Sequence, residues 1–198
     1  MGYPLTVPLE TEIKLRLENA ASIRKRLRKL GFRLHARRVF ESNTIFDFPD
    51  KRLCEKGELI RIRKVASKAL LTYKGPPRSG PHKSREEIET TLADAKTMQD
   101  VFKRLELTVV FRYEKYRAEY ARPGIRGIVT VDETPIGNFL EIEGPPKWID
   151  STARELGYAR SDYITMSYSD LYLEHCRECG IQPSHMTFSA RHRRTPER

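Results

Sequence analysis

The chain contains no apolar run approaching the length of a bilayer span, and its opening Met1-Gly2-Tyr3-Pro4 lacks the charged-then-apolar order of a secretory leader. Both absences point to a cytoplasmic protein with no membrane partner. Cysteine is scarce too: three thiols cannot all pair within one chain, and with nothing to suggest export they read as reduced. The second C-x-x-C that would make a zinc or redox site of His175, Cys176, Cys179 and His185 is missing. Cys54 stands alone in a predicted turn and needs no role. No internal repeat is detectable.

What the chain has in quantity is charge. Its 198 residues are 38% hydrophobic and 32% charged, enough for one soluble domain with a real core, and the formal net charge is +10. Much of that excess lies in Arg24, Lys25, Arg26, Arg28, Lys29 and Arg33 around the first helix, and in Arg191, Arg193, Arg194 and Arg198 of the tail. Such runs are commonly a solvated helix face and a free tail, so nucleic acid is not the favoured partner.

More informative are the segments in which charged and apolar residues alternate. Glu10-Thr11-Glu12-Ile13-Lys14-Leu15-Arg16-Leu17 is the first, and in a strand its charged and apolar sets face opposite ways. The pattern returns in Ile60-Arg61-Ile62-Arg63, Arg85-Glu86-Glu87-Ile88-Glu89, Lys115-Tyr116-Arg117 and Leu140-Glu141-Ile142-Glu143. One such strand is an ordinary solvated sheet face. So many, carrying both signs, predict a closed sheet lining a polar cavity.

Asn19 is placed to cap a helix with Ala20, Ile23, Leu27 and Leu30 on one face and Gly31 at its end. A strand over about 37–46 follows, then turn chemistry at Asp47-Phe48-Pro49-Asp50 and Glu55-Lys56-Gly57. Between strands at Leu70–Lys74 and Arg85–Leu92 lies a glycine- and proline-rich loop carrying Arg78, His82 and Lys83, a candidate lid. Asp94 caps a second helix. Three further strands, near 109–120, 128–133 and 139–143, precede a helix introduced by Pro145-Pro146 and a last one from Ser167 into Cys179-Gly180. The prediction is α+β and β-dominated: about eight strands joined mostly as hairpins, with four helices packed outside.

Arg61, Arg63, Lys74, Arg85, Lys115 and Arg117 offer more cations than one carboxylate substrate requires, and guanidinium forks and ammonium groups suit phosphate oxygens. The carboxylates Glu10, Glu12, Glu87, Glu89, Asp132, Glu141 and Glu143 do not suit phosphate directly. Clustered oxygens without histidine or cysteine suit hard cations such as Mg2+ or Mn2+, which bridge acids to phosphate. Mutual salt-bridging is the competing account, but desolvating so many charges without a ligand is costly.

In order along the chain, Glu10-Thr11-Glu12-Ile13-Lys14, Phe46-Asp47-Phe48-Pro49-Asp50, Leu59-Ile60-Arg61-Ile62-Arg63 and Thr72-Tyr73-Lys74-Gly75-Pro76 are followed by Arg85-Glu86-Glu87-Ile88-Glu89 and Lys115-Tyr116-Arg117. Val131-Asp132-Glu133, Gly137-Asn138-Phe139-Leu140-Glu141-Ile142-Glu143 and Ser167-Tyr168-Ser169-Asp170-Leu171 complete the set. This ordered set resembles the CYTH family of class IV adenylate cyclases and thiamine triphosphatases, within the triphosphate tunnel metalloenzymes. The resemblance covers roughly residues 8 to 173 and implies a closed eight-stranded antiparallel tunnel that binds a triphosphate with divalent metal. By the same resemblance Arg61, Arg63, Lys74, Lys115 and Arg117 grip phosphates, and Glu10, Glu12, Asp132, Glu141 and Glu143 hold one or two metal ions. Glu87 and Glu89 complete the acidic lining, and Lys14 orients or activates the attacking water. A lysine base needs a lowered pKa, for which a crowd of cationic neighbours is a physical means.

The family carries out both hydrolysis at a terminal phosphoryl group and cyclisation of ATP. No adenine-reading motif is visible, so hydrolysis of tripolyphosphate or a similar triphosphate is favoured over cyclisation. Thiamine triphosphate is a third choice, with Trp148 or a tyrosine to stack on its ring. A non-catalytic polyphosphate- or nucleotide-binding module is the remaining alternative. The domain is expected to span residues 1–173, with 174–198 a partly flexible extension. Tyr158, Tyr163 and Tyr172 are candidates either for a homodimer surface or for core, and Tyr168 is expected to pack the last helix on the barrel.

Overall fold

Along the first strand Ile13, Leu15 and Leu17 point one way and Glu12, Lys14 and Arg16 the other, and the whole fold follows from repeating that choice. The structure, a computed structural model, describes residues 9–189. Its strands are β1 (Leu9–Leu17), β2 (Arg33–Asp47), β3 (Leu59–Val65), β4 (Lys68–Lys74), β5 (Lys83–Leu92), β6 (Thr108–Ala121), β7 (Ile128–Thr134) and β8 (Gly137–Glu143). They close into one antiparallel barrel in the order β1-β5-β4-β3-β2-β6-β7-β8.

The apolar sets face outward and are covered by helices α1 (Ala20–Lys29), α3 (Ala95–Arg104) and α4 (Pro146–Glu155). Ile13, Leu15, Val129, Val131, Leu140 and Ile142 meet Ile23 and Leu27 of α1 and Ile149 and Ala153 of α4 in the main core. Phe46 and Ile62 meet Ala95 and Phe102 of α3 in a second cluster. The capping residues act as the sequence implies. The Asn19 side chain accepts from the amides of Ala21 and Ser22 at 2.8 and 3.0 Å, and Asp94 accepts from Thr97 at 2.7 Å. Gly127 and Gly144 have no substitute, because a Cβ at either would lie 2.5 or 2.9 Å from the Trp148 ring.

A fifth helix, α2 (Arg52–Glu55), stands where a turn was expected and contains Cys54. The cause is Asp47, whose carboxylate accepts from the backbone amides of Phe48, Leu53 and Cys54. Strand β2 also starts earlier than expected, at Arg33, with register shifts against β6. The last helix, α5 (Tyr168–Cys179), is opened by a reciprocal capping box between Ser167 and Asp170. It packs Leu171 and Tyr172 with Phe139, Tyr113 and Tyr168 in a third cluster. Met186 joins that cluster, and its backbone bridges β6 at Tyr113. Arg24 of the basic helix is ion-paired with Glu133, whereas Lys25, Arg28 and Lys29 are exposed. Arg191, Arg193, Arg194 and Arg198 lie outside the described residues.

Candidate active site

Cross-strand register brings the charged sets together inside the barrel. Glu12 faces Glu143 and Lys14 faces Glu141 across β1 and β8, while Arg117 faces Asp132 across β6 and β7. Glu41 faces Lys115, Asn43 faces both Tyr113 and Arg63, and Arg61 faces Thr72. Thr72 and Lys74 then face Glu89 and Glu87, and Glu10 and Glu12 face Arg85 and Lys83, which closes the ring. Every site residue expected from the sequence lies on this inner face.

Asp132 is the most enclosed of them, with no exposed surface. It accepts from Lys115 Nζ at 2.9 Å, from Arg117 Nε and Nη2 at 2.7 and 2.6 Å, and from the Tyr168 hydroxyl at 2.7 Å. Three of those bonds fall on Oδ2 and one on Oδ1, so in this arrangement Asp132 holds Lys115 and Arg117 in place. Arg117 also reaches Glu141, and burial notwithstanding, Arg117 and Lys14 keep the Glu141 carboxyl well below the usual range. Lys74 bonds Glu10 and lies 3.1 Å from Glu87. Arg61 donates to the Tyr113 hydroxyl at 3.2 Å and to the Thr72 hydroxyl at 3.1 Å.

Lys14 departs from the sequence argument. Burial favours loss of its proton, but Glu12 at 2.8 Å and Glu141 at 3.4 Å outweigh burial and hold its pKa above the ordinary lysine value. Its immediate neighbours are carboxylates, not the crowd of cations expected to lower it. Glu12 is correspondingly held down at about 2: burial opposes ionisation and Lys14 overrides it. At the rim the balance reverses. Burial, then repulsion from Glu10 and Glu12, pushes Glu143 up to about 7.

Several inner-face groups were not singled out from the sequence. Glu41 and Asn43 alternate along β2, and Tyr113 precedes Lys115 by two residues, so the period-two signal was present in each case. Burial works against Glu41, yet Lys115, Arg117 and Arg63 keep its carboxyl at about 2. Tyr168 packs its helix on the barrel as expected. It also sends its hydroxyl to Asp132 and lies under the ammonium groups of Lys14 and Lys115, at 5.4 and 5.2 Å from the ring centre.

The loop ahead of β5 is tied down by Gly75 N to Glu86 O at 3.0 Å, Arg78 N to Ser84 O at 2.7 Å, and His82 Nε2 to Asp150 at 2.8 Å. His175 lies 3.8 Å from Cys179 Sγ, while His185 bonds Arg112 instead. Tyr172 is core, and Tyr158 and Tyr163 pack against the main cluster. Among the described residues no three His, Cys, Asp or Glu side chains converge as a ready-made metal cage. The donor chemistry nevertheless suits a hard cation: Glu10, Glu12, Glu141 and Glu143 offer only oxygens, and burial together with repulsion from Glu10 and Glu12 disfavours the charged form of Glu143, which a bound cation would relieve.

The CYTH domain family model matches residues 8–168. The chain belongs to the CYTH family. A CYTH relative from Methanocaldococcus jannaschii, provisionally named an adenylate cyclase, is 33% identical over 135 residues, covering 68% of this chain and 76% of that protein. Among solved structures, the PH1819 protein of Pyrococcus horikoshii is 26% identical with a TM-score of 0.71, covering 84% of this chain and 99% of that one. A Vibrio parahaemolyticus protein, also provisionally named an adenylate cyclase, has a TM-score of 0.74 at 17% identity, covering 84% and 98%. A Hippeastrum protein with a provisional adenylyl cyclase name and a dominant triphosphatase activity has a TM-score of 0.62 at 19% identity, covering 88% and 97%. The last two share the CYTH barrel with this chain, which at those identities is a statement about fold.

Proposed function

We propose that this CYTH protein is a divalent-metal-dependent hydrolase of a triphosphate, inorganic tripolyphosphate or a small molecule bearing one, bound inside the charged barrel. The observation that carries this reading is a set of unused donors. Among the described residues Asn43 Nδ2, Arg61 Nε and Arg85 Nε are buried without a hydrogen-bond acceptor. Buried donors lacking acceptors favour a ligand rich in acceptor oxygens.

In this reading Arg61, Arg63, Lys74, Arg85, Lys115 and Arg117 bind phosphate oxygens, and Asp132 and Glu41 fix Lys115 and Arg117 in place. Glu10, Glu12, Glu141 and Glu143 would hold Mg2+ or Mn2+, which would supply charge neutralisation at the phosphates and a lowered pKa for bound water. Glu87 and Glu89 keep Lys74 and Arg61 aimed inward. Lys14, protonated because of Glu12 and Glu141, orients the reacting groups and is not the base.

Cyclisation of ATP is the second reading, favoured by the name of the M. jannaschii relative. It needs the adenosine folded back onto the triphosphate, and no adenine reader is evident. Phosphorus NMR after incubation with tripolyphosphate, ATP or thiamine triphosphate, with Mg2+ or Mn2+, separates the readings. Orthophosphate plus pyrophosphate from tripolyphosphate is the expected result. Cyclic AMP and pyrophosphate from ATP would replace hydrolysis with cyclisation, and no turnover in any sample would leave a binding module.

A further inference from the structure

Lys83 opens β5 two residues before Arg85, on the same inner face and directly across from Glu12 of β1. The residue is more than nine-tenths buried, at 8% exposure. All seven cations expected from the sequence have a carboxylate within 4.0 Å: Lys14, Arg61, Arg63, Lys74, Arg85, Lys115 and Arg117. Lys83 makes no such ion pair and no side-chain hydrogen bond among the described residues. Its neighbour His82 is fixed to Asp150, which also accepts from Tyr163 at 3.1 Å and from Arg160, so the backbone that presents Lys83 is anchored to α4.

We propose that Lys83 is a phosphate-binding residue of the barrel, presenting at the level of Glu12 the free ammonium that Lys14, held between two carboxylates, does not. The inference rests on the triphosphate reading above. A largely buried lysine with no ion-paired carboxylate is electrostatically disfavoured, and a bound polyanion relieves that cost. The chain's own electrostatics agree: burial, then Lys14, with Arg85 and Lys74 adding to it, outweighs Glu12 and brings the Lys83 pKa down to about 8. Among the described residues Lys83 faces Glu12 but has no carboxylate in ion-pair contact.

The test is calorimetric binding of tripolyphosphate, with Mg2+ and with chelator, to wild type, Lys83→Gln, Lys83→Met and Lys83→Arg, alongside thermal unfolding of each without ligand. The expected result is a Kd raised about tenfold or more in Lys83→Gln and Lys83→Met, and largely restored in Lys83→Arg. The unliganded Gln and Met variants should melt no lower than wild type, because an uncompensated buried charge has been removed. A residue with a merely structural role would show the opposite, lower melting with binding unchanged. Wild type that binds while Lys83→Gln or Lys83→Met binds within twofold of it would overturn the role of Lys83 and leave the triphosphate reading standing. Wild type that fails to bind tripolyphosphate under both conditions would overturn the triphosphate reading, and the role of Lys83 with it.

Discussion

Tyr168 donates its phenolic hydrogen to Asp132 across 2.7 Å, from the first turn of an outer helix to a carboxylate that solvent does not reach. That bond couples the seating of α5 to the placement of Lys115 and Arg117, which share the same acceptor. Tyr168→Phe keeps the ring and removes the donor. It should lower unfolding free energy by about 1.5–3 kcal/mol, the usual worth of a buried hydrogen bond to a charged group, as measured by urea denaturation. Unchanged stability would mean the hydroxyl does not hold Asp132.

Glu141 sits between Lys14 and Arg117, so Glu141→Gln preserves shape while deleting a charge. Metal-dependent turnover should be abolished with circular dichroism unchanged. Full activity would remove Glu141 from the metal-binding set.

Lys14→Ala separates binding from chemistry. If the ammonium orients the reacting groups, kcat should fall about a hundredfold or more while tripolyphosphate affinity changes much less. Equal losses in both would make Lys14 a phosphate-binding residue.

A pH signature belongs to Glu143, pushed up to about 7 from 4.5. Between those values the folded chain keeps a proton that the unfolded chain has released, so this group's stabilisation is complete below about 4.5 and lost as pH rises through about 7. Melting curves from pH 4 to 8 in chelator should show wild type losing stability relative to Glu143→Gln as pH rises. Added Mg2+ or Mn2+ should narrow that gap. Parallel curves would refute the crowding of Glu143 by its neighbours.

Gly127→Ala would set a Cβ 2.5 Å from Trp148, so overpacking should cost about 1–3 kcal/mol in urea denaturation. Trp148→Leu, which vacates the ring, should reduce the cost of the glycine substitution without abolishing it, because Gly127 also has a φ of +155°. Additive losses in the double variant would show that the contact does not set the penalty.

The barrel was legible because β1, β3, β5 and β8 each carry an alternating stretch, over 13–17, 60–63, 87–89 and 140–143, and period two is a strong signal when both faces are distinctive. The family motifs supplied the order of the strands in a recognisable set. What escaped did so for identifiable reasons. Glu41 and Asn43 lie in a strand whose exposed, basic beginning at Arg33 conceals the alternation further on. Glycine and proline dominate 75–81 and mask Lys83 as part of a loop, although its phase matches Arg85. The Tyr168 contact spans 36 residues of sequence and exists only once α5 is docked, so no local pattern announces it. The carboxylate surroundings of Lys14 are not legible in the sequence, because strand periodicity tells which charges share a face but not which of them touch.

Phe139, Tyr113 and Tyr168 fill one end of the barrel, backed by Leu171, Tyr172 and Met186. On the triphosphate reading proposed above, this apolar packing would act as the floor beneath the charged inner face. With such a floor, a bound triphosphate would enter and leave by the same rim, and a long polyphosphate would not be threaded through and trimmed from its far side.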